Sequence, residues 1–325
     1  MPNSQPFLYL APIRGLTDAL FRTTLHLHFK GFDAAMAPFI TPQRKSLYEN
    51  AMLRDVLPEN NAGLPLIPQL LDTDPESFIV LAGRLAELGY RHINWNLGCP
   101  APMVAKKKRG SGLLPYPETI IDILDQIVPQ LDMEISIKTR LGYHSRKELE
   151  NLLPQLDRFP LKEIIIHTRL GKQLYRGSTD PEGFALCQNL SRHILVYNGD
   201  ITDRAGFNAL ASSFPGVNRW MIGRGALANP FIAEEIKGIA TGSADERKKR
   251  LYAFHLDLFN RYEKRLSGPS HILGRLKQLW TYLILSFPGQ EKFQKKILKT
   301  THLAGYLQVI EQLFADASCR DRKSD

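Results

Sequence analysis

Polar and charged residues stand at the end of seven short apolar runs in this chain. Because a polar group inside an apolar segment costs free energy unless it is satisfied, chance would not place so many of them at the same end of each run. We therefore interpret them as the walls of one site. In chain order they are 11–15 (APIRG), Gln69, 96–100 (NLGCP), 138–140 (KTR), 167–169 (HTR), 198–200 (NGD) and 223–225 (GRG).

Cys99 lies between Gly98 and Pro100, where the chain leaves one of these runs. At an unperturbed pKa of about 8.5, a thiol is mostly protonated at neutral pH and can act as a general acid. No evident base flanks it in the sequence to make it a nucleophile. The alternative is a small buried hydrophobe, although such cysteines usually sit in the middle of an element. Cys187 and Cys319 receive no role.

Three further side chains suggest a bound ring. Lys138 lies within an apolar run, and a cation there would stabilise negative charge on a reduced electron-accepting ring. Gln69 offers a paired donor and acceptor that could read a ring edge. His167 could donate to a phosphate or to a bound base. The alternatives are a lysine whose head group reaches water and a packed, satisfied histidine.

The candidate strands and helices that position these residues alternate along the chain as they do in a barrel. Eight β-α units in about 240 residues predict a parallel (β/α)8 barrel, whose active site lies at the carboxyl ends of its strands. A doubly wound open sheet is the structural alternative. Amphipathic stretches at 75–88 and 117–128 predict helices. The candidate strands are 7–11, 34–39, 66–70, 93–97, 135–139, 163–167, 194–197 and 220–222.

The last two strand ends predict a phosphate site. Loops after the seventh and eighth strands commonly bind phosphate in such barrels. Residues 198–200 and 223–225 supply backbone N–H groups, and Arg224 supplies a planar fork for an anion. Either segment alone could equally be an ordinary glycine-containing turn. The presence of both segments at the two expected strand ends favours a bound phosphate.

After Pro230 the pattern becomes helical. Residues 240–245 (ATGSAD) are typical of a linker, and 246–314 have helical periodicity with breaks at 267–269 and 288–289. We therefore expect three or four helices. The predicted division is a catalytic barrel domain at 1–240, a helical domain at 241–316 and a disordered tail at 317–325.

Charge is concentrated in this last quarter. The chain has 325 residues and a net charge of +9, and residues 241–325 carry 16 Lys and Arg against 9 Asp and Glu. This asymmetry suggests an acidic partner, nucleic acid first, although a soluble basic surface is the alternative. One basic helical face is predicted by lysines spaced i, i+3, i+4 and i+7, at Lys292, Lys295, Lys296 and Lys299.

Several function classes lack support. Three scattered cysteines are too few for a disulfide framework or a cysteine-based zinc site, which favours a reducing, cytoplasmic setting. No apolar run reaches the roughly 18 residues of a membrane span. HxxxH, CxxC, GxGxxG and GxSxG patterns do not occur, so metal, Rossmann-type and serine-hydrolase sites are not indicated.

Taken in order, these motifs resemble the flavin-dependent tRNA-dihydrouridine synthases. The most specific piece is 96–100 (NLGCP), followed by 106–114 (KKKRGSGLL) and Pro117-Glu118. The resemblance runs from Ala11 to about Pro230 and continues into the tail. There are two departures. Ile13 stands where the family usually has methionine, and Thr179-Asp180-Pro181 stands in place of an Ala-Asp-Trp run.

The resemblance implies a TIM barrel that holds FMN, followed by a helical domain that binds tRNA. Cys99 matches the family's proton donor. The flavin would be lined by Pro12, Ile13 and Arg14, and its ring or phosphate end contacted by Gln69, Lys138 and His167. Ribityl and phosphate would be held by Asn198, Gly199, Asp200, Gly223 and Arg224. The target uracil would lie at Asn96, Arg140 and Tyr175. The RNA would face Arg275, Lys277, Lys295 and Lys296.

The implied reaction is the reduction of uridine in tRNA. NADPH reduces FMN, the uridine leaves its stack, hydride passes to C6, and Cys99 delivers a proton to C5 from the opposite side. Segment 275–283 (RLKQLWTYL) favours the subclass that acts on position 16 of tRNA, whereas the loop around Cys99 resembles the other bacterial subclasses equally well. A monomer with no metal is expected.

Three alternatives stay open on sequence alone. An FMN barrel oxidoreductase of a small molecule, similar to dihydroorotate dehydrogenase, explains the phosphate and lysine features but not the basic tail. A dihydrouridine synthase acting on ribosomal RNA explains all of them. A non-catalytic RNA-binding module fits poorly with intact Cys99, Lys138 and His167.

Overall fold

The computed structural model describes residues 5–42 and 50–316 of the chain. Within these residues, nine short parallel strands form one sheet in the order β3-β2-β1-β9-β8-β7-β6-β5-β4. The strands are β1 (Phe7–Leu10), β2 (Ala34–Met36), β3 (Leu66–Ile67), β4 (Gln69–Leu70), β5 (His92–Leu97), β6 (Glu134–Gly142), β7 (Leu161–Leu170), β8 (Leu195–Asn198) and β9 (Arg219–Ile222).

The nine strands form a barrel with eight strand positions, because β3 and β4 together occupy the third position and close the sheet. The predicted strand 66–70 is divided at Pro68 into β3, which pairs with β2, and β4, which pairs with β5. Proline has no N–H to give to the ladder. The Pro68 carbonyl still accepts a hydrogen bond from the Asn94 amide at 2.9 Å, so the two pieces continue one another. Likewise β2 ends at Met36, before Pro38, and not at residue 39 as the sequence predicted.

Helices cover the outside of the barrel, as the predicted βα rhythm requires. Prolines at the first turn start α3 and α5, where a missing N–H costs nothing. The helices of this part are α1 (Ala19–His28), α2 (Asn50–Leu53), α3 (Pro75–Glu87), α4 (Pro102–Ala105), α5 (Pro117–Ile127), α6 (Lys147–Leu156), α7 (Pro181–Gln188), α8 (Arg204–Ser213), α9 (Arg224–Ala228) and α10 (Ile232–Lys237). Shorter 3₁₀ turns include Gly110–Leu113 and Ile284–Ser286.

Four helices follow the barrel: α11 (Ala244–Arg265), α12 (Pro269–Leu283), α13 (Glu291–Lys299) and α14 (Leu303–Asp316). The predicted breaks lie between α11 and α12 and between α12 and α13. Ser243 caps α11 with Glu246 in a reciprocal pair of hydrogen bonds. The predicted tail 317–325, with Cys319, lies outside the described residues.

The helical part packs directly on the barrel. Phe254 of α11 lies edge-on to Phe21 and Phe29 of the α1 region, with ring centroids 5.9 and 5.3 Å apart. The Tyr262 hydroxyl lies 3.2 Å from the carboxylate of Asp18, the residue that caps α1. These contacts pack α11 against α1, and the next helix, α12, reaches the candidate site through Tyr282.

Candidate active site

Strand alternation decides which side chains enter the barrel. Successive residues of a strand face opposite sides of the sheet. In β5, Ile93, Trp95 and Leu97 pack outward into the large core cluster, so Asn94 and Asn96 face inward. The same reasoning turns inward Ser136 and Lys138 of β6, His167 of β7 and Asn198 of β8.

Of these inward residues, Asn96, Lys138, His167 and Asn198 line a cavity of about 620 Å³ at the carboxyl ends of the strands. Four of the residues predicted to act lie elsewhere: Arg275 and Lys277 on α12, and Lys295 and Lys296 on α13. The cavity wall brings together fifteen of the residues that the sequence singled out: Pro12, Ile13, Arg14, Gln69, Asn96, Cys99, Lys138, Arg140, His167, Tyr175, Asn198, Gly199, Asp200, Gly223 and Arg224.

The loop that carries Cys99 is held from two sides. The Asn96 side-chain oxygen accepts hydrogen bonds from the amides of Gly98 and Cys99 at 3.0 and 2.8 Å. From the other side, Arg140 Nε donates to the Gly98 carbonyl at 3.0 Å, and its Nη1 donates to Leu170 at 2.9 Å. Two residues expected near the uracil therefore also fix the position of the thiol.

The segment 106–114 supports the same loop from behind. Gly110 has φ +56°, and a Cβ on it would stand 2.7 Å from the Cys99 carbonyl oxygen. This close approach explains the glycine. Ser111 donates to that carbonyl from its amide at 3.0 Å and from its hydroxyl at 3.1 Å. Arg109 pairs with the buried Asp72 at 2.7 Å, whereas the other three basic residues of this segment, Lys106, Lys107 and Lys108, are exposed.

The Cys99 thiol is protonated at neutral pH. Burial raises its pKa above the ordinary value, and the opposing effects of the Ala101 amide and the Arg140 charge are smaller. A raised pKa makes the thiol a poor nucleophile and keeps a proton available. The role of Cys99 as a general acid stays a prediction.

Lys138 reaches into the cavity from β6. Its Nζ donates to the Asn198 side-chain oxygen at 3.0 Å, and the Asn198 amide nitrogen in turn donates to the Met221 carbonyl at 2.8 Å. Burial, and to a lesser degree the charge of Arg140, lowers the pKa of Lys138 to about 7. A lysine that titrates near neutrality is typical of a functional site rather than of a solvated surface.

His167 is buried with an unused hydrogen-bonding atom. Its Nδ1 has no hydrogen-bond partner among the described residues. Burial and then the charges of Arg140 and Lys138 hold its pKa well below the usual range, so the ring is neutral. Tyr175, 56% exposed, lies over it with ring centroids 6.3 Å apart. The guanidinium carbons of Arg140 and Arg224 lie 5.2 and 5.4 Å from the Tyr175 ring centre.

The predicted phosphate corner contains a carboxylate. Asp200 accepts from Arg224 Nη2 at 2.7 Å and from Arg169 Nη1 at 3.0 Å. Burial alone would raise the pKa of Asp200, but the hydrogen bond and charge of Arg169, followed by Arg224, lower it overall. Arg169 is itself buried and also donates to the Gly177 carbonyl at 2.8 Å. The Arg224 fork is therefore shared with Asp200 and not open to an anion on all sides.

The Gln69 amide, which we expected to read a ring edge, is engaged at both ends. Its nitrogen donates to Asn94 Oδ1 at 2.8 Å and contacts Met36 Sδ at 3.2 Å. Its oxygen accepts from Asn96 Nδ2 at 2.7 Å. Gln69 lines the cavity, but most of its hydrogen-bonding capacity serves its neighbours.

Part of the cavity wall consists of residues that the sequence did not single out. Phe39 and Leu174 line it from barrel loops, Tyr282 lines it from the end of α12, and Leu285 lines it from the 3₁₀ turn that follows. Leu174 has φ +54°, an uncommon conformation for a non-glycine residue that could only be seen in the structure. The contribution of α12 has no local signal either, because it depends on how the helical part packs on the barrel.

One departure from the family pattern has a local explanation. Asp180 caps α7 and accepts from the Gly183 amide at 2.8 Å, while Pro181 occupies the first helical position. Neither residue lines the cavity. Thr179-Asp180-Pro181 thus serves to start a helix, and Tyr175 is the wall residue from this loop.

Some basic residues of the helical part contact other residues of the chain, and others are exposed. Lys277 donates to the Thr300 carbonyl at the end of α13. Arg275 lies near Gly15, and its positive charge acts to lower the pKa of Asp18. On α13, Phe293 and Ile297 are buried, whereas the outer face is exposed and carries Lys292, Lys295, Lys296 and Lys299. The exposed face of α13 is therefore open to a partner, whereas Lys277 is already engaged within the chain.

Within residues 5–42 and 50–316, no group of three or more His, Cys, Asp or Glu side chains is arranged to hold a metal ion. In the same part of the chain, every helix is too short or too polar to cross a membrane.

Two solved structures share the architecture. A histamine dehydrogenase from Rhizobium sp. 4-9 superimposes with a TM-score of 0.54 at 12% identity, over 76% of this chain and 48% of that one. A morphinone reductase mutant in complex with tetrahydroNAD gives a TM-score of 0.51 at 13% identity, over 72% and 87% of the two chains. At these identities the likeness concerns the fold alone, and the predicted barrel with its following helical bundle is confirmed.

Sequence relatives extend over almost the whole chain. A probable tRNA-dihydrouridine synthase of Staphylococcus aureus (strain COL) is 28% identical over 317 residues, which are 96% of this chain and 94% of the relative. A probable tRNA-dihydrouridine synthase 2 of Bacillus subtilis (strain 168) is 28% identical over 307 residues, 91% and 90% of the two chains. The family model described as dihydrouridine synthase (Dus) matches residues 9–318. The chain is therefore a member of the dihydrouridine synthase family, as its motifs predicted.

Proposed function

We propose that this dihydrouridine synthase reduces the C5–C6 double bond of uridine in tRNA, with FMN bound in the cavity and Cys99 as the proton donor. The observation that carries the proposal is the position of Cys99, on the wall of a cavity shared with Lys138 and Arg140, and burial there raises the pKa of its thiol. The relatives from S. aureus and B. subtilis, named as probable tRNA-dihydrouridine synthases, support tRNA as the substrate.

The cavity fits an anionic cofactor with a hydrogen-bonding ring. Its volume of about 620 Å³ lies within the usual range for cofactor sites. The unused Nδ1 of His167 offers a hydrogen bond that no described residue takes up. Lys138, Arg140 and Arg224 face the cavity, against the single carboxylate of Asp200. This chemistry suits FMN better than a neutral sugar or an apolar ligand.

In this proposal different residues contact different parts of FMN. Pro12, Ile13 and Arg14 line the ring, and Gln69, Lys138 and His167 contact the ring or the phosphate end. Ribityl and phosphate are held by Asn198, Gly199, Asp200, Gly223 and Arg224. Bound FMN would supply the hydride for C6 of uracil, and we propose NADPH as its reductant. A phosphate at this position would share Arg224 with Asp200.

The chain's own groups then act on the base. Cys99 gives its proton to C5. Arg140, held by the Gly98 and Leu170 carbonyls, stabilises negative charge that develops on the uracil, which is a preorganised arrangement because the guanidinium is already fixed. Tyr175, exposed between Arg140 and Arg224, offers a face on which an extruded base can stack.

A direct test combines cofactor, substrate and product. The purified protein should bind FMN, and after anaerobic reduction with NADPH it should be reoxidised by unmodified tRNA with formation of dihydrouridine. NADH run in parallel measures the nicotinamide preference, and mapping of dihydrouridine in a deletion strain identifies the position. Reoxidation by a pyrimidine base or by ribosomal RNA, with tRNA inert, would contradict the proposal. The cytoplasmic location and the monomeric state stay predictions.

We also propose that residues 1–240 form the catalytic domain and 241–316 the tRNA-binding domain. On this basis the double variant Lys295→Glu/Lys296→Glu should weaken tRNA binding by about tenfold or more at low salt. It should also reduce the slope of log affinity against log salt, because fewer counterions are released from the RNA. Filter binding or fluorescence anisotropy at several salt concentrations measures both quantities.

A matched control changes the same charge elsewhere. Arg91 and Arg192 are exposed and precede β5 and β8, at the opposite end of the barrel from the cavity. Arg91→Glu/Arg192→Glu alters the net charge equally and should leave the salt slope nearly unchanged. Equal losses in both double variants would show that only net charge matters and would remove α13 from the proposed interface.

A further inference from the structure

A line of hydrogen-bonded side chains runs inside the barrel from β6 to the Cys99 loop. Asn94 Nδ2 donates to Ser136 Oγ at 2.9 Å, Gln69 Nε2 donates to Asn94 Oδ1 at 2.8 Å, and Asn96 Nδ2 donates to Gln69 Oε1 at 2.7 Å. Ser136, Asn94 and Gln69 are 0% exposed and Asn96 is 7% exposed. The line thus joins the middle of the barrel to its functional end through buried polar contacts.

The backbone fixes the direction of this line. The amides of Gly98 and Cys99 can only donate, so the atom of Asn96 that faces them is its oxygen. Its nitrogen must then face Gln69, and the same reasoning orients Gln69 and Asn94 in turn. If one amide reversed, two donors or two acceptors would face each other in a buried site, which is unfavourable because neither group could be satisfied.

The lower end of the line is the Ser136 hydroxyl. Ser136 Oγ accepts from Asn94 Nδ2, and it also lies 2.8 Å from His92 Nε2 and 3.4 Å from the Ile93 carbonyl oxygen. The hydroxyl can therefore donate to the Ile93 carbonyl, or to His92 when Nε2 carries no proton, while it accepts from Asn94. Burial, followed by the nearby Lys162 charge, lowers the pKa of His92 to about 4, so this histidine is neutral at neutral pH.

We propose that Asn94 is a positioning residue for the proton donor: it orients Gln69 and, through Asn96, holds the loop that presents the Cys99 thiol. The described residues that line the cavity do not include Asn94 or Ser136, so these two side chains act through their neighbours. The inference rests on the proposed function in that Cys99 is the proton donor. The hydrogen bonds themselves do not depend on it.

The test follows the Cys99 thiol directly. Iodoacetamide reacts with the thiolate, so the pH profile of Cys99 alkylation, followed by peptide mass spectrometry, reports the pKa of this thiol. Asn94→Leu removes both polar ends at similar size. We expect its Cys99 to react several-fold faster at pH 8, with a midpoint moved toward that of an ordinary thiol, because the loosened loop admits water. The kcat with tRNA should fall by about tenfold or more while KM changes little, because a misplaced acid slows chemistry.

Two variants separate positioning from general stability. Asn94→Asp keeps an acceptor for Gln69 and lets the Ser136 hydroxyl donate, so it should restore most of the wild-type profile. Ile93→Ala removes a neighbouring side chain that is 0% exposed and packs outward, so it should lower stability without moving the alkylation midpoint. If Asn94→Leu does not fold, Ser136→Ala removes the acceptor of Asn94 and should shift the profile in the same direction.

The outcomes are distinct. A folded Asn94→Leu or Ser136→Ala protein with the wild-type alkylation profile would overturn the inference, and so would an equal shift in Ile93→Ala. A shifted profile in the variant, together with a wild-type protein that forms no dihydrouridine, would overturn the proposed function and leave the positioning of the Cys99 loop established.

Discussion

Cys99→Ala should bind FMN as tightly as the wild type and form dihydrouridine about 10²–10⁴-fold more slowly, the usual contribution of a general acid. The substitution removes a proton donor whose pKa is raised by burial, and none of the contacts that hold the loop involve the sulfur atom. Flavin titration and the mass of the tRNA product, which gains two hydrogens for each uridine reduced, measure the two effects separately.

Cys187→Ala is the matched control. Cys187 is buried in α7 and does not line the cavity, so its loss should affect stability and leave the rate per folded molecule unchanged. Wild-type turnover in Cys99→Ala would remove the acid role. Loss of FMN binding in the same variant would show that the thiol belongs to the cofactor site instead.

The sequence was sufficient to predict the barrel, the family and the residues that converge. Residues at strand ends meet because parallel strands in a closed sheet share one carboxyl end, and alternation turns every second residue inward. This reasoning needs only periodicity and order. For this reason the sequence alone assigns Lys138, His167 and Asn198 to one site, although about thirty residues separate each from the next.

The sequence does not predict which hydrogen-bond and ion-pair partners these side chains have. Asp200 meets Arg169 because β7 and β8 pair in a register that brings His167 opposite Asn198, and no local pattern encodes that register. The double engagement of Gln69 likewise depends on the break at Pro68, which sets β4 against β5. Tyr282 and Leu285 join the cavity wall only because α12 packs over α9. Each of these is a long-range packing result.

FMN binding by the wild-type protein should weaken as the pH rises above about 7, by up to tenfold per pH unit. In the free protein, burial lowers the pKa of Lys138 to about 7, so above this pH the side chain is mostly neutral. An anionic cofactor favours the charged form and raises the pKa in the complex. Binding therefore takes up a proton between the two pKa values, and a reaction that takes up protons is disfavoured as pH increases.

Two substitutions isolate this group. Lys138→Met should bind FMN about tenfold more weakly at pH 7, because a charge-assisted contact is lost, and its Kd should be nearly constant from pH 7 to 9. Lys138→Arg keeps a permanent charge, so its Kd should also be constant but lower than that of the methionine variant. Cys99 and Arg140, the other groups coupled to Lys138, remain in both variants. Quenching of flavin fluorescence measures the Kd across the range, and a pH slope that persists in Lys138→Met would assign the proton uptake to one of those neighbours.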